Sequence, residues 1–167
     1  ILYADALQQM YSTTVVRESK KGEAKEMFDF YVERGIEAIR ANDHKRLIKV
    51  LEQAIADFNQ ISIADREFNR IGLVGEIFLK YNNYGQAYIT DWLRSRNMEV
   101  DCPPIIDFLM QYFVNAEVNA ANGINKVTIW GKYLRSVFWK YINKRMTVVE
   151  NVMEHYRFHQ PAESIYT

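Results

Sequence analysis

The sequence predicts a helix-rich α/β unit: an incomplete Rossmann-like parallel βαβ layer packed with long flanking helices. Three observations predict it. Arg70–Pro104 (RIGLVGEIFLKYNNYGQAYITDWLRSRNMEVDCPP) reads as strand, polar turn, helix, strand. The segments on either side carry apolar residues at i, i+3, i+4 and i+7, the spacing of amphipathic helices. Only two strands are visible, both short, and a pair of parallel strands is not stable without a covering layer.

The first helix is expected over Leu2–Thr14, with Leu2, Tyr3, Ala6, Leu7 and Met10 on one face. Val15–Gly22 is polar and breaks it. Glu23–Ala41 places Phe28, Tyr31, Val32, Ile36 and Ile39 at helical spacing. Asn42–Asp43 is a short connector, and Asp43 suits the N-cap of the next helix because its carboxylate accepts from an unpaired backbone N–H. That helix has the cleanest period, through Leu47, Ile48, Leu51, Ala54, Ile55 and Phe58. So short a connector predicts antiparallel packing of the two.

Gln60–Asn69 is a polar linker. Ile71–Leu79 reads as the first strand, interrupted by Gly72, Gly75 and Glu76, and Lys80–Gly85 as a turn rich in Asn and Gly. Gln86–Arg96 suits a helix burying Ile89, Trp92 and Leu93, and Met98–Cys102 a second strand ended by Pro103–Pro104. A helix over Ile105–Val114 follows, then Ala116–Lys126 as a loop. Trp130–Phe158 is expected as one long helix whose stripe is Leu134, Val137, Phe138, Tyr141, Ile142, Val149, Val152, Met153 and Tyr156. The tail from Pro161 reads as loosely held. Residues 1–69 thus form a helical segment and residues 70–167 the βαβ element with its long helix, together one compact unit.

Composition narrows the function classes. The chain has 167 residues, 49% apolar and 25% charged, an ordinary balance for one hydrophobic core. Its 21 basic and 21 acidic side chains cancel, so the broad attraction that nucleic-acid binders rely on is missing. Cys102 is the single cysteine, which excludes an internal disulfide, and no Cys/His cluster has zinc spacing. No apolar run approaches the roughly 20 residues that span a bilayer, so a cytoplasmic location is expected. Ile1–Met10 is already helical in pattern and lacks an initiator Met, as in a piece of a longer protein.

Gly72, Gly75 and Glu76 follow a G-x-x-G-E pattern at a strand end. Either the glycines let the backbone approach a ligand while Glu76 supplies a carboxylate, or they form a bulge beside a solvated Glu. Neither a dinucleotide fingerprint nor a phosphate loop is present. Lys80, Asn82, Asn83 and Gln86 lie in and after the turn, where helix-opening N–H groups can hold an anion, or where Asn simply serves the turn geometry. Glu76 with Asn82 is the more specific pair, because both would face one crevice. Cys102 reads as structural. Asp107 suits the first turn of its helix, where a carboxylate meets the positive end of the helix dipole. His155 and His159 share a metal-compatible spacing without an evident third ligand.

The order VGEIFLKYNNYG, then a helix ending in LRSRNMEV, then PPIIDFLMQYFVN resembles the activase-related 2-hydroxyacyl-CoA dehydratase proteins. That group carries a V-G-E-I-x-x-K-x-N motif, an amphipathic helix, a G-A-E-V-like strand and a P-P-L-x-D-F segment. It is related to 2-hydroxyglutaryl-CoA dehydratase and benzoyl-CoA reductase of anaerobic bacteria. The motif positions that match are Gly75, Glu76, Lys80 and Asn82, then Pro103, Pro104, Asp107 and Phe108.

The resemblance implies a large cytoplasmic protein in which an actin-like ATPase part injects electrons. A dehydratase part holds an iron–sulfur cluster through cysteines and takes an acyl-CoA thioester. It also implies that the cluster cysteines lie beyond Thr167 and the ATPase glycine motifs upstream, leaving this segment as a crevice wall with Gly75, Glu76, Lys80 and Asn82 toward the substrate. Tyr112 stands where relatives often have a cysteine. The remaining domains of such a parent would be its partners. The alternative is a non-catalytic helical module in which Trp130–Phe158 docks a partner or a second copy, giving a homo-oligomer.

Overall fold

A computed structural model describes residues 1–65, 67–124 and 128–159. The order is α1 (Leu2–Thr14), α2 (Glu23–Arg40), α3 (His44–Gln60), β1 (Asn69–Gly72), α4 (Ile77–Lys80), α5 (Ile89–Ser95), β2 (Met98–Asp101), α6 (Ile105–Ala121) and α7 (Ile129–Met153). The chain is therefore a helix-rich α/β fold with one two-stranded parallel sheet. No helix among the described residues is long and apolar enough to cross a membrane. The expected tail from Pro161 lies outside the described residues.

The core is helical. Leu7 and Met10 of α1, Tyr31 of α2, and Leu51 and Phe58 of α3 are buried together with Met153 and Tyr156 from the far end of the chain. Helices α1 and α2 meet closely at Gly35, where any Cβ would stand 2.4 Å from the Tyr3 ring. The Tyr3 hydroxyl donates to the Tyr31 carbonyl at 2.6 Å, and the Tyr31 hydroxyl donates in turn to Asp57 of α3. Glu37 pairs with Arg46 near the connector, whereas Tyr31 meets Asp57 farther from it, so α2 and α3 run antiparallel as expected. Asp43 is the N-cap of α3, accepting from the Arg46 N–H at 2.9 Å.

Val15–Gly22 does more than end α1. The buried Glu18 carboxylate accepts from the N–H groups of Gly22 and Ala24 and so closes the start of α2. A single antiparallel bridge joins Glu18 to Ile63, tying the α1–α2 connection to the linker after α3.

The sheet pairs Arg70 with Glu99 and Ile71 with Val100. Its first strand is shorter than the apolar run predicts. It ends at Gly72, and the last sheet-like bond is Leu73 N–H to the Asp101 carbonyl at 2.7 Å. Gly75 then takes φ +141°, open to glycine and rarely adopted by L side chains, and Glu76 becomes the N-cap of α4 by accepting from Phe78 N–H at 3.0 Å. Ile77–Lys80 is thus a helical turn rather than strand, and Val74 and Phe78 are 84% and 76% exposed.

Three further expectations change. Helix α5 starts at Ile89 rather than Gln86, because Ala87 and Tyr88 both have positive φ, and it buries Leu93 while leaving Trp92 half exposed. Helix α6 runs on through the expected loop to Ala121. It stops where Gly123 takes φ +70° and the N–H groups of Gly123 and Ile124 bond back to Ala120 and Asn119, a Schellman ending. The rest of that expected loop, residues 125–127, lies outside the described residues. Helix α7 ends at Met153, and its expected stripe is split. Val149, Val152, Met153 and Tyr156 reach the core, but Leu134, Val137, Phe138 and Tyr141 are exposed.

Candidate functional site

The carboxyl ends of β1 and β2 open on the same side because the strands are parallel. The loop after β1 brings Gly75, Glu76 and α4, whose last residue is Lys80. The exit of β2 brings Cys102, Pro103 and the first turn of α6. The Tyr81 hydroxyl bridges the two by donating to the Pro103 carbonyl. From α1, Asp5 reaches across and accepts from Ile105 N–H at 3.2 Å and Ile106 N–H at 3.0 Å. The N-terminus of α6 is therefore already closed by a carboxylate of this chain.

Electrostatics make this a coupled group. Burial pushes the Cys102 thiol up, outweighing the opposing pull of Lys80 and of the Tyr81 hydroxyl bond. Burial, with Cys102, Asp5 and Asp107 nearby, pushes Tyr81 up to about 12. Asp5 is raised by burial despite its two backbone donors. Asp107 is also raised, first by burial, then by the charges of Asp5 and of Glu150 on α7, with Lys80 acting against them. Lys80 is thus set among Cys102, Asp107 and Tyr81, with Arg94 a second, weaker cation acting on Cys102. The arrangement holds a neutral thiol and phenol beside an ammonium group, which suits hydrogen bonding and anion contact better than nucleophilic attack.

Asp107 sits in the first helical turn as expected, but burial among like charges outweighs the favourable dipole there. Its folded-state pKa lies above 3.8, the value for a free aspartate. Ionising it in the folded protein therefore lowers stability as pH rises past 3.8 and through the raised value, and it has no such effect at pH values where both states are protonated. Asp107→Asn is expected to raise the melting temperature at neutral pH and to leave it unchanged in strong acid. A lower melting temperature at neutral pH would show that pairing with Lys80 dominates instead.

Of the four residues expected to face substrate, Lys80 joins this group. Gly75 turns the chain into it, with open space where a Cβ would stand. Glu76 and Asn82 each serve their own turn, Glu76 capping α4 and Asn82 accepting from Gly85 N–H at 3.1 Å. Sequence reasoning missed Asp5 and Tyr81. Tyr81 lies inside the motif segment and could have been found there, whereas nothing local marks Asp5.

The imidazole of His159 bonds Glu150 at 3.0 Å, and His155 faces carbonyls of its own helix. Among the described residues no group of three or more His, Cys, Asp or Glu side chains is placed to hold a metal ion.

The residues present do not fit the iron–sulfur cluster or ATP that the resemblance implies. Cys102 is the sole cysteine and its thiol is held protonated by burial, whereas cluster ligation takes several thiolates. ATP would need a phosphate-cradling glycine loop, which the sequence lacks. No protein-family model matches the chain, and neither the curated proteins nor the solved structures contain a match to it.

Proposed function

We propose that this chain is the α/β element of an activase-related 2-hydroxyacyl-CoA dehydratase-like protein and forms one wall of an acyl-CoA crevice. The cluster and most of the site would come from residues outside the chain. The observation that carries this reading is the parallel pairing of β1 and β2. It sets the V-G-E-I-x-x-K-x-N residues beside the P-P-I-I-D-F residues at the strands' carboxyl ends, where open α/β sheets take their ligands.

Each residue has a defined part. Lys80 supplies a positive charge for a phosphate or a polarised thioester carbonyl. Glu76 and Asn82 shape the loop and offer hydrogen bonds, and Gly75 keeps the approach open. No acid–base step is assigned to any of them. In the complete protein, Glu76→Ala is expected to lower turnover or cluster retention by about tenfold or more, the scale of a lost positioning contact. Folding should be kept, as read by circular dichroism. Unchanged turnover and cluster content would remove Glu76 from the site.

A second reading, a non-catalytic docking module, is favoured by one observation. The first half of α7 presents aromatic and aliphatic side chains to solvent. In that reading the βαβ element is scaffold, and a melting shift with acyl-CoA would favour the first reading instead.

A further inference from the structure

The exposed face of α7 has a composition that selects its partner. Trp130, Tyr133, Leu134, Val137, Phe138 and Tyr141 recur at spacings of three and four, forming one stripe along the helix. Trp130 is 76% and Leu134 65% exposed, whereas apolar side chains at these spacings ordinarily mark a buried face. Among the described residues Phe138 is the member of this stripe with a ring partner across helices, stacking on Phe113 of α6 at 5.1 Å. At 1.5 Å per residue the stripe is roughly 17 Å long, the length of about three turns of a partner helix.

Charge decides what covers it. Ile129–Met146 carries five cations, Lys132, Arg135, Lys140, Lys144 and Arg145, and no Asp or Glu. Some surface cations elsewhere meet carboxylates, as in Lys25–Asp29, Arg46–Glu37 and Arg94–Asp91, but no other helical stretch of comparable length among the described residues is basic without an acidic residue. Lys140, Lys144 and Arg145 are exposed and have no carboxylate partner among the described residues. The Arg145 guanidinium lies over the Tyr141 ring, 5.3 Å from its centre, at the C-terminal end of the stripe.

A second copy laid parallel on this face would bring like charges together, which costs affinity, and an antiparallel copy would leave both cation clusters without carboxylates. By the helical period Lys140 and Lys144 fall toward one flank of the stripe and Arg145 toward the other, near its C-terminal end, while Lys132 and Arg135 lie round the far side. An anionic lipid surface shares this complementarity and is one outcome of the test. We propose that the α7 face docks an acidic amphipathic helix of another polypeptide, its apolar side on Trp130–Tyr141 and its carboxylates on Lys140, Lys144 and Arg145. The inference rests on the docking reading above and is independent of the crevice.

The test uses two synthetic helical peptides with one leucine stripe, flanked by glutamates in one and lysines in the other. Their binding to the native chain is read by fluorescence anisotropy. The glutamate peptide is expected to bind about tenfold or more tightly than the lysine peptide, with the preference fading as salt rises. Changing Lys140, Lys144 and Arg145 to Glu together should reverse the preference, and Leu134→Asp should abolish binding of both peptides. Circular dichroism of these exposed-site variants checks that each is folded.

Equal affinities, or no binding of the glutamate peptide, would overturn the proposal. So would binding to vesicles of phosphatidylserine and phosphatidylcholine without peptide binding, which would assign the face to lipid. Self-association lost in Leu134→Asp without peptide binding would assign it to a second copy. Either peptide failure also leaves the docking reading separable, since vesicle binding or self-association would still support a docking face.

Discussion

Tyr156→Ala is expected to destabilise the protein by about 4 kcal/mol, the usual scale for emptying a buried aromatic site. Tyr156 follows the end of α7 and is almost fully buried. Its ring fills the centre of the helical core, and its hydroxyl meets Thr13 Oγ1 at 2.5 Å and Thr14 Oγ1 at 2.7 Å and donates toward the Met10 carbonyl at 3.1 Å. This one side chain therefore fastens the end of the chain to α1. Tyr156→Phe keeps the packing and takes from the buried Thr14 hydroxyl its Tyr156 partner, whereas Thr13 still donates to carbonyls of its own helix, for a loss of about 1–3 kcal/mol. Urea denaturation followed by circular dichroism separates the two, because the midpoint falls while the slope holds for a folded variant. If Tyr156→Phe proved neutral, the hydroxyl contacts would be irrelevant and only packing would matter.

Arg17→Ala is expected to cost about 3–5 kcal/mol, because it leaves a buried carboxylate short of its cation. Arg17 lies between α1 and α2, and its guanidinium bonds the Thr13 carbonyl and Glu99 of β2. Glu99 is 3% exposed and Arg17 only 12%. The guanidinium also lies over the rings of Phe68 and Phe158, so its loss removes packing as well as charge. The other cation near Glu99 is Arg70, at 3.6 Å and half exposed, and it also pairs with Asp101 at 2.7 Å.

Arg17 is one link, and a buried charged one, that holds a sheet of two strands, too small to stand alone, against the helices. Glu99→Ala should cost a similar amount, and the double variant less than the sum of the two singles, because the pair acts as a unit. Additive losses in denaturation would show that the two residues do not depend on each other. Replacing the pair together by Met and Leu should come close to neutral, since the desolvation cost leaves with the charges.

The helical half was legible because its signals are local. The periods of α1, α2 and α3 and the N-cap at Asp43 sit within short windows, and the expected bounds of α1 and α2 agree with the structure to within one residue. The parallel strand pair was legible from its spacing around a helix, and β2 from its proline stop. The end of β1 was not. A short apolar run cannot distinguish strand from helical turn, and only the positive φ at Gly75 with the Glu76 cap decides it.

Helix α6 was underread because its Asn-rich end resembles a loop, although Asn122–Gly123 is itself a stop signal of the kind that ends helices. On α7, apolar residues lie on more than one side, so period alone could not choose between the face on the core and the face in solvent. At the candidate site, Lys80 and Gly75 stood inside a readable motif. Asp5 is a hundred residues away from the Ile105 N–H it caps. Its role exists only once α1 and α6 are packed.

The most direct test of the proposed acyl-CoA site uses Cys102, the single thiol of the chain, as a reporter beside Lys80 and Tyr81. Alkylation by a neutral maleimide is followed by mass spectrometry of the peptide carrying Cys102, with and without an acyl-CoA thioester. The raised thiol pKa predicts slow modification that speeds up as pH rises past the value of a free cysteine. Acyl-CoA is expected to slow it severalfold, and Lys80→Ala to remove that protection while also slowing the rate seen in its absence, because the ammonium that pulls the thiol pKa down is gone. Equal rates with and without the thioester would contradict the placement of the ligand at the carboxyl ends of β1 and β2.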